Sequence, residues 1–255
     1  MQLAFGTGIL FGVQTQDATG AAVANPTPVQ FGNLQDVSGD ISFEEKLLYG
    51  AYQMPIAVGR GKGKLQFKAK MANISGQIMG DLLFGTGTTA GIKDVVPNFA
   101  AAIPSGTPWQ ITIAPPNSGT YVGDLGVLNA STGLPLKRVA SAPATGQYSV
   151  NVATGIYTFA TADANAAVLI SYEYTAVSTT AKITAINNQL MGYAPTFKAS
   201  LDMSFQGKNL TLVLNQCVSS KFSLPFKNDD FAVPEFDFSA FADASGAVGY
   251  IATTE

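Results

Sequence analysis

The sequence predicts a mainly β fold, a β-sandwich or barrel with one short helix and a smaller inserted β domain of immunoglobulin-like or simple sandwich type. Three stretches carry that expectation. Across positions 63–71, Leu65, Phe67, Ala69 and Met71 alternate with Lys64, Gln66, Lys68 and Lys70, which is the period of a half-buried strand. The same period returns in Phe197, Ala199, Leu201, Met203 and Phe205, set against Lys198, Ser200, Asp202 and Ser204; a turn at 207–209 then leads into Leu210, Leu212 and Leu214 as a hairpin. Between 107 and 176, short β runs at 109–113, 124–128, 147–152, 156–159 and 168–175 are separated by glycine, proline and asparagine, the pattern of a compact sandwich.

The remaining elements are placed around these. Residues 1–28 end in Ala24-Asn25-Pro26-Thr27-Pro28, where proline blocks helix and ladder bonding, so an extended arm leads into a strand at Val29. Asn73 is positioned to cap a short helix in which Ile74, Ile78 and Leu82 align beside Met79 and Leu83, with Gly85 ending it. Gly76 and Gly80 weaken that helix, so packing must hold it. Residues 85–106 lack a sustained period and read as a linker or mobile loop. A strand is expected over 218–226, followed by an irregular tail containing Phe231, Phe236, Phe238 and Phe241, which must dock on something. The expected organisation is an arm (1–28), a discontinuous β domain with a C-terminal assembly segment (29–106 and 177–255), and an insertion (107–176).

Composition narrows the function. Charged residues make up 12% of the 255-residue chain and apolar ones 47%, against roughly 25% charged in an average domain, so the weakly charged surface favours association. The net charge of -3 offers no basic excess for gripping phosphates. Histidine is absent, which removes the commonest general base and the commonest zinc ligand. Cys217 is the single cysteine, flanked by Leu212, Leu214 and Val218, and reads as a small buried thiol. Residues 1–13 are apolar but lack a basic start and are broken by Gly6, Gly8 and Gly12, which fits neither a signal peptide nor a membrane span and points to the cytoplasm.

The motifs that resemble chemical sites have plainer readings. Gly59-Arg60-Gly61-Lys62-Gly63-Lys64 looks like a phosphate cradle, but its spacing is wrong for a P-loop and a strand follows it, so it reads as a flexible turn opening that strand. Asp36, Asp40, Glu44 and Glu45 have no calcium-loop spacing and read as a solvated strand face. Asn73-Ile74-Ser75, Asn129-Ala130-Ser131 and Asn209-Leu210-Thr211 match the glycosylation acceptor by pattern alone. An enzyme with Asp202 or Glu173 as its carboxylate rests on no motif.

The order Gly39-Asp40-Ile41-Ser42-Phe43-Glu44-Glu45-Lys46-Leu47-Leu48-Tyr49-Gly50, then Pro55-Ile56-Ala57, the Lys64 strand and Asp81-Leu82-Leu83-Phe84-Gly85, resembles the N-terminal half of major tail tube proteins of long-tailed phages. Tyr121-Val122-Gly123-Asp124-Leu125-Gly126-Val127, Gly155-Ile156-Tyr157-Thr158-Phe159 and Ile170-Ser171-Tyr172-Glu173-Tyr174 look like the β insertion of some members. Pro234-Glu235-Phe236-Asp237-Phe238 and Asp243-Ala244-Ser245-Gly246 are similar to their tails. The resemblance implies a virion protein of the tail-tube type, assembled in the host cytoplasm. It would form hexameric rings, stacked by the arm, a hairpin loop and the C-terminal segment into a conduit for DNA ejection. It implies no cofactor and no membrane. Its partners would be further copies of itself, with tape measure, tail terminator and baseplate or tip proteins, and double-stranded DNA would pass without specific binding.

On that expectation the 42–62 loop, the arm and the tail supply the contacts between copies, with Phe43, Leu47, Leu48, Tyr49, Tyr52, Arg60, Phe231, Phe236, Phe238 and Phe241 as candidates. Glu44, Lys64, Lys68, Lys70, Lys198 and Asp202 are the candidate lumen or polar strand face. A lumen that passes DNA should be neutral or negative, so the lysines must be neutralised by Asp202 and Glu44 or Glu45, or else face away. The rival readings are a capsid decoration or adhesin module, and a pyocin-like or secretion-system tube.

Overall fold

The computed structural model describes residues 6–73 and 75–254; positions 1–5 of the expected arm and Ile74 of the expected helix lie outside them. The chain is mainly β. In order, its strands are β1 (Ile9–Gln16), β2 (Val29–Gln30), β3 (Leu34–Tyr49), β4 (Pro55–Met71), β5 (Thr89–Ala90) and β6 (Ile92–Ala102). There follow β7 (Gln110–Thr112), β8 (Thr120–Asn129), β9 (Lys137–Arg138), β10 (Gln147–Asn151), β11 (Ile156–Phe159) and β12 (Ala167–Ala176). The last are β13 (Lys182–Ile183), β14 (Thr196–Phe205), β15 (Lys208–Ser223), β16 (Glu235–Phe241) and β17 (Gly249–Thr253). They divide into two units, Met1–Thr88 with Thr184–Glu255, and Thr89–Ile183.

The first unit is built on one sheet in the order β2-β1-β14-β15-β16-β4-β3, with β17 also on β15. β16 and β17 lie end to end along the same edge of β15, pairing with Gln216–Ser223 and Leu210–Leu214 respectively. Asn215 holds the join, its N–H donating to the Val248 carbonyl at 2.8 Å and its Nδ2 to Asp243 at 2.7 Å. The alternating residues of β4 and β14 put Phe67, Ala69, Met71, Phe197 and Ala199 into one core with Leu10, Phe31, Leu214, Cys217, Phe236 and Phe238. Leu10 on β1 and Val37 on β3, near opposite ends of the strand order, line one small cavity with Leu212 and Phe238, so the sheet rolls toward a barrel. Cys217 is fully buried there, and burial pushes its thiol up to about 12.

Several expectations are corrected here. The expected arm carries a strand of the sheet, because β1 pairs with β14 along Ile9–Gln16 and Leu10 is buried; residues 17–28, the proline-bearing stretch included, connect β1 to β2 outside the strands. The 42–62 segment is a continuation of the β3–β4 ladder, which runs out to Tyr49 opposite Pro55. The glycine-rich 59–64 run is therefore strand and not a turn, with Phe43 opposite Gly63 and Glu45 opposite Arg60. The short helix exists, but Ile78–Leu83 is a π-helical turn, and Ser75 Oγ, not Asn73, accepts the Ile78 N–H at 3.4 Å. Its Ile78 and Leu82 side chains pack into the core, as a glycine-weakened helix requires.

The second unit begins earlier and ends later than the expected 107–176. The supposed linker at 85–106 holds β5 and the eleven-residue β6. Its period is concealed by a bulge: β6 pairs with β12 on both sides of Pro97-Asn98, where the register shifts and Asn98 takes φ 54°. One sheet runs β7-β11-β10-β9 and the other β6-β12-β8, over a shared core of Ile103, Tyr121, Val127, Tyr148, Tyr157, Phe159, Ile170 and Tyr172. The first and last strands of the sandwich, β6 and β12, are antiparallel neighbours, which is a simple sandwich and not the immunoglobulin strand order.

Candidate assembly surfaces

Among the described residues, β16 pairs with β4 only over Leu65–Lys70 and β3 pairs only with β4, so the outer β3–β4 hairpin has no other strand beside it there. The alternation that elsewhere sorts apolar from polar residues does not bury either face of the hairpin. Ile41, Phe43, Leu47, Leu48, Tyr49, Ile56 and Val58 are all exposed, and Tyr52 at the tip is 84% exposed. An isolated two-stranded ribbon is at best marginally stable in water, and this one is ordered locally by short-range devices. The Phe43 ring lies over Gly63, where a Cβ would meet it at 2.8 Å, and the Arg60 guanidinium sits 4.3 Å from the ring centroid, a cation–π contact. Glu44 meets Lys46 at 3.8 Å.

The lysine face of β4 lies between two strands that carry carboxylates. Asp36 and Ser38 of β3 stand opposite Lys70 and Lys68, which in turn stand opposite Glu235 and Asp237 of β16. Lys70 pairs with Asp36 at 3.3 Å, Lys68 pairs closely with Glu235, and Lys221 of β15 approaches Glu235 at 3.8 Å. The Lys68 ammonium lowers the Glu235 carboxyl below its ordinary range, and the Lys68 pKa is raised in return. The neutralising partners of Lys70 and Lys68 are thus Asp36 and Glu235, not Asp202 and Glu44 or Glu45, while Lys64 stands opposite Ser42. Asp202 and Lys198 lie on β14, which β15 and β16 separate from β4, and Asp202 accepts instead from Thr211 at 2.7 Å.

The aromatic tail divides in two. Phe236 and Phe238 are 0% and 2% exposed. Phe236 packs edge-on against Phe31 at 5.3 Å, and Phe238 stacks on Phe67 at 5.4 Å. They belong to the core and are withdrawn as contact residues; strand β16, concealed in the sequence by the loops around it, puts them there. Phe231 is 90% exposed and Phe241 is also exposed. The reading from sequence missed the exposed apolar pairs Ile9 and Phe11 on β1, and Tyr250 and Ile251 on β17. Leu10 against Ile9 and Phe11 was the available signal, since apolar side chains on both faces of a strand exceed what one core can take.

No protein-family model and no curated protein matches this chain.

The functional residues therefore rest on the chain's own geometry. Among the described residues, no three His, Cys, Asp or Glu side chains form a metal-binding group, and no helix is long and apolar enough to cross a membrane.

Proposed function

We propose that this chain is a structural subunit that closes into rings and stacks them into a hollow tube of the long-tailed-phage type, through which DNA leaves the virion. The β3–β4 hairpin carries the reading. It extends past the sheet, pairs with no other strand among the described residues, and exposes Phe43, Leu47, Leu48, Tyr49 and Tyr52 to water. Apolar surface so arranged is used by association, and a heterologous contact repeated by rotation and translation gives rings and then a tube. The rolled sheet supplies the wall, and pairing of Lys68 and Lys70 with carboxylates leaves them less able to hold a passing phosphate backbone. Other copies of the chain are the main partners, with tape measure, terminator and tip proteins meeting the ends of the tube in the virion tail. The role is mechanical and involves no catalytic step.

The test is a pair of hairpin variants, Leu48→Glu and Tyr52→Glu, followed by sedimentation velocity over a range of concentrations. Both side chains are exposed in the single chain, so folding should be unchanged while large assemblies disappear. Unaltered assembly by both variants would remove the hairpin from the interface and the main support from the reading.

A further inference from the structure

We infer that the crevice between the Asp17 turn and the 187–193 segment of the first unit binds a neutral saccharide. The crevice has a volume of about 650 Å³, room for more than one sugar ring. Asp17, Thr19, Asn187, Asn188, Gln189 and Tyr193 line it, and among its described lining residues there is no lysine or arginine. That set supplies hydrogen-bond donors and acceptors in quantity without a cation to select an anion.

Two of the polar groups are held in place. Asp17 Oδ1 accepts from the Thr19 N–H, the Thr19 hydroxyl and the Ala21 N–H at 2.8, 2.7 and 3.0 Å; all three converge on one oxygen, which fixes the orientation of the carboxylate. Gln189 Nε2 donates to the Phe84 carbonyl at 2.9 Å, which orients the amide and leaves Oε1 to accept. Carboxylate and amide groups of this kind take vicinal hydroxyls in pairs. The half-exposed Tyr193 ring offers an apolar plane for the C–H face of a pyranose. A few placed polar groups beside one aromatic surface is the usual composition of a small-ligand site. The inference is independent of tube formation and concerns the single chain.

Saturation-transfer NMR on the full chain, with neutral oligosaccharides of glucose, galactose, mannose and N-acetylglucosamine as probes, tests it. At least one probe should show transfer. Tyr193→Ala should weaken it at least tenfold, Asp17→Asn should weaken it, and Tyr193→Phe, which keeps the plane, should retain it. Absence of transfer from every probe overturns the inference, as does transfer that Tyr193→Ala leaves unchanged. Loss of self-association in Tyr193→Ala without any sugar binding would also overturn it, by assigning the crevice to a contact between copies.

Discussion

The hydroxyl of Tyr157 donates to Asp124 Oδ1 at 2.9 Å in the interior of the second unit. Tyr148 donates to Oδ2 of the same carboxylate at 2.8 Å, the Gly126 N–H reaches Oδ1 at 3.0 Å, and Arg138 approaches Oδ2 at 3.5 Å. Since the Tyr157 proton is committed to Asp124, the Tyr121 hydroxyl donates to Tyr157, at 3.0 Å. Asp124 lies on β8 and the two tyrosines on β10 and β11, so one buried carboxylate joins both sheets. Asp124→Ala leaves two buried hydroxyls without their acceptor and should cost about 3 kcal/mol, read by urea unfolding of the chain. A cost below about 0.5 kcal/mol would show that the network contributes no net stability.

The same cluster sets an alkaline limit. Burial first, then the hydrogen bonds and charge around Asp124, raises Tyr148 and Tyr157 well above the ordinary 10.0. Their protonated forms are favoured by folding, so this stability is complete below pH 10.0 and declines as pH rises past it, where the unfolded chain ionises and the folded one does not. Tyrosinate absorbance should therefore rise together with unfolding for these two residues, and stopped-flow titration that showed all tyrosines ionising in the folded chain would contradict the assignment.

An acid limit follows from two matching turns. Asp17-Ala18-Thr19-Gly20 and Asp243-Ala244-Ser245-Gly246 fold alike. Each carboxylate accepts the N–H and the hydroxyl two residues on, and each glycine has a positive φ. The Thr19 and Ser245 hydroxyls are the largest cause that lowers the two aspartates below 3.8. Their contribution is present above the ordinary value and is lost as pH falls through the lowered one. Asp17→Asn and Asp243→Asn should reduce the acid dependence of unfolding in that window, measured by circular dichroism; an identical pH profile in the double variant would rule the turns out.

Phe236→Ala should cost about 3–5 kcal/mol by opening a cavity in the first core, whereas Phe231→Ala should leave the unfolding midpoint unchanged and weaken association. Denaturation and sedimentation of both variants separate the roles; equal loss of stability in the two would contradict the division of the aromatic tail.

Thr89 pairs with Ile183 and Ala90 with Lys182, so the chain enters and leaves the second unit side by side. Replacement of Thr89–Ile183 by a short glycine-serine link should leave a folded first unit with its own core. Retention of its far-ultraviolet strand signal and a cooperative melt would agree; a molten product would not.

How far the sequence was legible depends on whether a residue's neighbours in sequence are also its neighbours in environment. β4, β14 and the insertion strands β10, β11 and β12 were readable because Leu65 to Met71, Phe197 to Leu201 and Val168 to Tyr174 alternate against one core. β6 was not, since the Pro97-Asn98 bulge breaks its period. The outer β3–β4 hairpin read as a loop because both its faces are exposed and no alternation is imposed on it. The lysine face was read correctly as a face, but its partners lie on strands whose register no local pattern reveals. Asp124 belongs to no site motif in the sequence, although a lone acid among inward-facing residues of a strand is itself a signal of a buried partner.

The most direct measurement of the central claim is electron microscopy of the purified chain across a concentration series. Closed rings at low concentration and stacked hollow filaments at high concentration, formed without added ligand and abolished by Leu48→Glu, are the predicted result. A chain that stays monomeric throughout, or that stops at a fixed oligomer without a lumen, would contradict it.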